Sequence, residues 1–120
     1  MPTEAVRRWL EQHGFVLREQ GKGVCKLERD DVLAELYDKD GELAELELTF
    51  TLSRDAPTRW EAWQAFVREL CAAWGLRLAD WAAGGKLVGP EELLRLLSQT
   101  VSWQDFQAHF GWPTPVTPGR

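Results

Sequence analysis

Long apolar runs are missing from this chain, and so is the apolar core of an export signal. It opens MPTEAVRRWLEQ, and no later stretch approaches the length of a membrane-crossing helix. Together these absences predict a cytoplasmic protein with no membrane partner. Cysteine is scarce: Cys25 and Cys71 lie 46 positions apart with no CxxC. An even count would allow one disulfide in a secreted protein, but without an export signal the expectation is two reduced thiols. His13 and His109 are the only imidazoles, and neither has a second ligand at helical spacing, so no metal site and no cofactor are assigned. No block of about 20–50 residues recurs, which rules out solenoids and propellers. Positive charge is in deficit as well. With 14 Lys+Arg against 19 Asp+Glu the net charge is -5, so nucleic acid is not the expected partner.

What is present is 120 residues of ordinary globular composition, 44% apolar and 28% charged. The reading is one α+β domain over residues 1–112, followed by a proline-spaced extended tail, PTPVTPGR, over 113–120. Charge is unevenly placed along it. Between Glu28 and Glu47 nine acids face only Arg29 and Lys39, giving that stretch -7, so the remainder of the chain is slightly basic.

Periodicity sets the expected architecture. Thr3 is a candidate N-cap, Val6, Trp9, Leu10 and His13 share one helical face, and Gly14 ends that helix. From Phe15 to Leu52 the period becomes two, as in strands with one buried face. Ala44, Leu46, Leu48, Phe50 and Leu52 alternate with Glu45, Glu47, Thr49 and Thr51. Opposed residues must share a face. Parity therefore pairs Val32 with Leu48 and Leu36 with Ala44 around a three-residue Lys39-Asp40-Gly41 loop. It likewise pairs Leu27 with Val32, Cys25 with Ala34, Phe15 with Leu27, and Leu17 with Cys25. The result is a four-stranded antiparallel meander with one apolar face.

Thr58–Trp74 is the expected cover for that face, a long amphipathic helix carrying Trp60, Trp63, Val67, Leu70 and Trp74, with a Thr58/Glu61 capping box and Gly75 beyond its end. Leu76–Trp81 is a candidate fifth strand. Two shorter helices follow, one opened by Pro90 and running to about Leu97, the other capped by Ser102 and Asp105. This order of elements is loosely that of small α+β adaptors such as type III secretion chaperones and toxin immunity proteins. No motif carries the likeness, and no family is assigned.

Candidate sites are few. Both cysteines fall on apolar faces, where burial raises a thiol's pKa and quiets it. Gly21-Lys22-Gly23 is better explained by a hairpin turn than by phosphate binding. No catalytic residue is assigned. The acidic strand face is the stronger candidate: Glu35 opposite Glu45, Glu47 one step along, and Asp38 and Asp40 in the turns. Like charges opposed on a ladder destabilise it. A solvated outer sheet face accounts for some of this acidity; an electronegative plate for a basic protein accounts for its concentration. Trp81, Trp103 and Trp112 lie in the less regular C-terminal third, as plugs of the core or as interface aromatics. The expected function is a non-enzymatic protein-binding module, inhibitor-, immunity- or antitoxin-like. The alternatives are a dimeric secretion or assembly chaperone with an apolar groove, and a small enzyme built on His13 or His109.

Overall fold

A computed structural model describes residues 1–53 and 55–99. The chain divides into two compact units, the first covering Met1–Thr51 and the second beginning at Leu52. The class is α+β.

The first unit is a helix, α1 (Thr3–Gln12), followed by four strands: β1 (Val16–Gly21), β2 (Val24–Arg29), β3 (Val32–Lys39) and β4 (Glu42–Phe50). They form an antiparallel meander in the order β1-β2-β3-β4. Alternation assigned the faces of β2 and β3 correctly, whereas Ala44 of β4, expected on the apolar face, is exposed. Cys25, Leu27, Val32, Ala34 and Leu36 are buried, as are Val6 and Leu10 of α1, which contacts β3. The chain start is tied to β4: the Leu43 N–H donates to the Met1 carbonyl at 2.9 Å and the Thr3 N–H to the Gly41 carbonyl at 3.1 Å. Thr3 is thus the first residue of the helix rather than its cap, and its hydroxyl donates to Asp38.

All three registers sit two residues from those that parity gave. Ala34 pairs Leu48 and Leu36 pairs Leu46; Cys25 pairs Leu36 and Leu27 pairs Ala34; Leu17 pairs Leu27. The reason lies in the turns. Asp30 and Asp31 both have positive φ, 48° and 65°, as do Asp40 and Gly41 at 54° and 85°. These are two-residue turns of the mirror-image kind, whose twist matches that of the strands they join. Asp tolerates the left-handed region better than most side chains, and Gly41 meets no steric barrier there. A two-residue turn at Asp40-Gly41 would drive the acids of β4 inward if the ladder were regular. It is not: Tyr37 pairs Glu45 while Asp38 pairs Leu43, leaving Ala44 as an extra residue that restores the facing. A second irregularity, at Arg18 in β1, lies between the Leu17–Leu27 and Glu19–Lys26 pairs. Leu17, on the edge strand, is 38% exposed rather than in the core.

The second unit is built around α2 (Ala56–Trp74), on which Trp63, Phe66, Val67, Leu70 and Cys71 are buried and Trp60 and Trp74 half-buried. The helix begins two residues before the expected cap. Pro57 sits in its first turn, where its missing N–H costs nothing, and the Thr58 hydroxyl donates to the Asp55 carbonyl at 2.7 Å rather than capping with Glu61. Gly75 ends it in the left-handed conformation, φ 63°, its N–H on the Cys71 carbonyl. The candidate fifth strand is a strand, β5 (Leu78–Asp80), but it belongs to a separate two-stranded sheet with β6 (Lys86–Val88). Tight turning at Gly84-Gly85, both at positive φ, makes that local pairing available. A 3-10 turn, Pro90–Glu92, then leads into α3 (Leu93–Ser98). Asp80 is 4% exposed and accepts from Arg95 at 3.0 Å, a contact that holds α3 to the hairpin. The expected helix at Ser102 and the tail from Pro113 lie outside the described residues.

Candidate functional site

The outer face of the four-stranded sheet carries its residues in rows set by the register. One row reads Glu19, Lys26, Glu35, Glu47 from β1 to β4; the next reads Val24, Tyr37, Glu45 across β2 to β4. Glu35 therefore stands opposite Glu47, not opposite Glu45 as the parity register had it, and Glu45 stands opposite Tyr37. The three glutamates that the sequence singled out are brought together, with their order changed by the bulge at Ala44.

Between them lies the one tyrosine of the chain. Its hydroxyl is 3.0 Å from Glu35 Oε2 and 3.3 Å from Glu47 Oε2, so a single O–H proton is shared between two carboxylates that would otherwise face each other unrelieved. The hydrogen bond to Glu35, some desolvation and the nearby negative charges of Glu35 and Glu47 push the phenol up to about 12. Tyr37 was not among the expected site residues. The available signal was its position two residues from Glu35 on the same face of the strand.

The two halves of the face differ in charge. On β1 and β2 the acids have cations: Lys26 Nζ lies 3.4 Å from Glu19 and Arg18 Nε 3.9 Å from Glu28. On β3 and β4, Glu35, Glu45 and Glu47 have no Lys or Arg within ion-pair distance among the described residues. Asp38 is drawn out of this group. It accepts from the Thr3 hydroxyl and, at 3.2 Å, from the Gly41 N–H, so its work is to fix the turn and the helix start. Asp40 is exposed in that same turn.

The remaining candidates divide. Trp81 is 76% exposed in the 3-10 turn between β5 and β6. Trp103 and Trp112 lie outside the described residues, as does His109. His13 ends α1 with its ring stacked on Trp9, centroids 3.8 Å apart, and Nδ1 2.7 Å from the Trp9 carbonyl. Burial raises both the Cys25 and Cys71 thiols, which disfavours the thiolate. A cleft of about 250 Å³ beside α1 is lined by Thr3, Arg7, Gly21, Cys25 and Asp38. The Arg7 guanidinium there is held by Glu4 and Glu11, so the cleft offers no unpaired cation. Among the described residues no three His, Cys, Asp or Glu side chains are grouped to hold a metal ion, and no helix is long and apolar enough to cross a membrane.

Comparison with known proteins gives no family that matches the chain, and no curated protein or solved structure with significant similarity to it.

Proposed function

We propose that the protein is a non-enzymatic binding module, inhibitor- or immunity-like, that receives a basic protein on the β3–β4 half of its outer sheet face. The observation that supports this reading is the trio Glu35, Glu45 and Glu47, held together on two adjacent strands with no Lys or Arg within ion-pair distance among the described residues. A sheet needing only solubility has no use for glutamates opposed across its ladder, since that arrangement weakens it. A partner's lysines and arginines would supply the missing counter-charge, and the concentrated field would speed their approach at low salt. Trp81, exposed in the second unit, is a separate aromatic anchor of the kind that dominates binding energy at interfaces.

The test is capture of partners from native lysate by the wild-type chain and by a Glu35→Gln, Glu45→Gln, Glu47→Gln triple variant. The variant keeps the shape and removes the charge. Its expected behaviour is an unchanged circular dichroism spectrum with loss of the partners that wild type releases at raised salt. Retention of every partner by the neutral variant would overturn the reading.

A further inference from the structure

Strand β1 is the open edge of the sheet. Among the described residues it pairs only with β2, and all six of its residues are exposed, Val16 and the adjoining Leu17 at 52% and 38%. The other edge begins differently, with β4 entered under hydrogen bonds from the chain start. An uncovered edge is a row of unpaired backbone donors and acceptors beside apolar side chains, which is the requirement for pairing with another strand.

What identifies the partner strand is the order of side chains around the bulge. Leu17 lies opposite Leu27 and Gln20 opposite Cys25, both on the inner face. Arg18 and Glu19 reach Glu28 and Lys26, both on the outer face. The facing along β1 is therefore in, out, out, in from Leu17 to Gln20, symmetric about the peptide joining Arg18 to Glu19. In a regular strand, two-fold antiparallel pairing cannot set a residue opposite its own neighbour, because the two point to opposite faces. The bulge lifts that restriction. Arg18 of one copy can stand opposite Glu19 of the other on the outer face, twice across the axis, with Leu17 opposite Gln20 on the inner face. Opposed unlike charges are favourable cross-strand pairs.

We propose that β1 pairs antiparallel with β1 of a second copy of this chain, joining two four-stranded sheets through a twofold pair of Arg18–Glu19 contacts. The inference is independent of the basic partner proposed above, which uses the other half of the face.

Light scattering across micromolar to submillimolar protein is the test, read on four samples. Wild type is expected to dimerise as its concentration rises. Arg18→Glu and Glu19→Arg each place like charges in opposition, and each should weaken the dimer about tenfold or more. Mixing the two single variants restores opposite charge at every pair, so the mixture should form heterodimers as readily as wild type forms homodimers. Each variant also breaks an exposed pair within its own chain, but mixing leaves that damage in place, so recovery on mixing reports the contact between copies. A wild type that stays monomeric would show that the bulge closes the edge and would overturn the proposal. So would a dimer that neither single variant weakens, or single variants that fail to associate when mixed while retaining native circular dichroism.

Discussion

The two halves of the outer sheet face share one backbone frame and differ in how their charge is resolved. On β1 and β2, Glu19 has Lys26 and Glu28 has Arg18. On β3 and β4, Glu35 and Glu47 have only the Tyr37 hydroxyl between them, and Glu45 stands beside it. Neutral hydrogen bonding reduces repulsion without removing charge, so the second half stays electronegative while the first is close to balanced. A sheet can therefore carry acids on all of its strands and present a field from only one side.

The largest expected effect breaks the frame common to both halves. Leu36 is fully buried and pairs Cys25 on one side and Leu46 on the other. Leu36→Ala should cost about 2–5 kcal/mol in chemical denaturation, from lost burial plus the cavity left behind. A cost below about 1 kcal/mol would mean the site is not core. Next comes the titration of Tyr37, which isolates the electronegative half because no other tyrosine contributes. Its phenolate absorbance should rise with a midpoint at about 12 in the native chain. In a Glu35→Gln, Glu47→Gln variant the midpoint should fall toward the ordinary value of about 10. Because the folded pKa lies above the unfolded one, this hydrogen bond stabilises fully below about pH 10 and is lost as pH rises through about 12. A midpoint indifferent to the two glutamates would remove the bridge.

The smallest effects exchange the character of the halves. Glu47→Lys places a cation opposite Glu35 and should stabilise by ~0.2–1 kcal/mol, less at high salt. Lys26→Glu deprives Glu19 of its partner, adds an acid beside Glu35, and should destabilise by ~0.2–1 kcal/mol. Equal responses in the two substitutions would mean that the halves are electrically alike.

Much of this was legible before any coordinates. Period-two alternation named the buried residues of β2 and β3, and the helical spacing of Trp63, Phe66, Val67, Leu70 and Cys71 located α2. The concentration of acid on β3 and β4 was visible in composition alone. Partner residues across the ladder were not, because parity determines a face and leaves the register free in steps of two. Aspartates adopting positive φ moved one turn along the chain to Asp30-Asp31 and shortened another to Asp40-Gly41, and the bulge at Ala44 absorbed the odd residue. The role of Tyr37 is hidden in the sequence for the same reason: it depends on which residue stands opposite, not on its own type. Leu76–Trp81 was readable as extended, yet its pairing with β6 was decided by the tight glycine turn between them.

Taken alone, then, the order of residues determined which side chains turn inward and where charge accumulates, since both follow from the fixed periods of helix and strand. Only tertiary structure decided which glutamates face each other, that a tyrosine proton lies between two of them, and that Asp38 serves the turn instead of the surface. Those outcomes hang on turn conformation and on one or two inserted residues, small local choices that a two-residue period carries unchanged along the whole ladder.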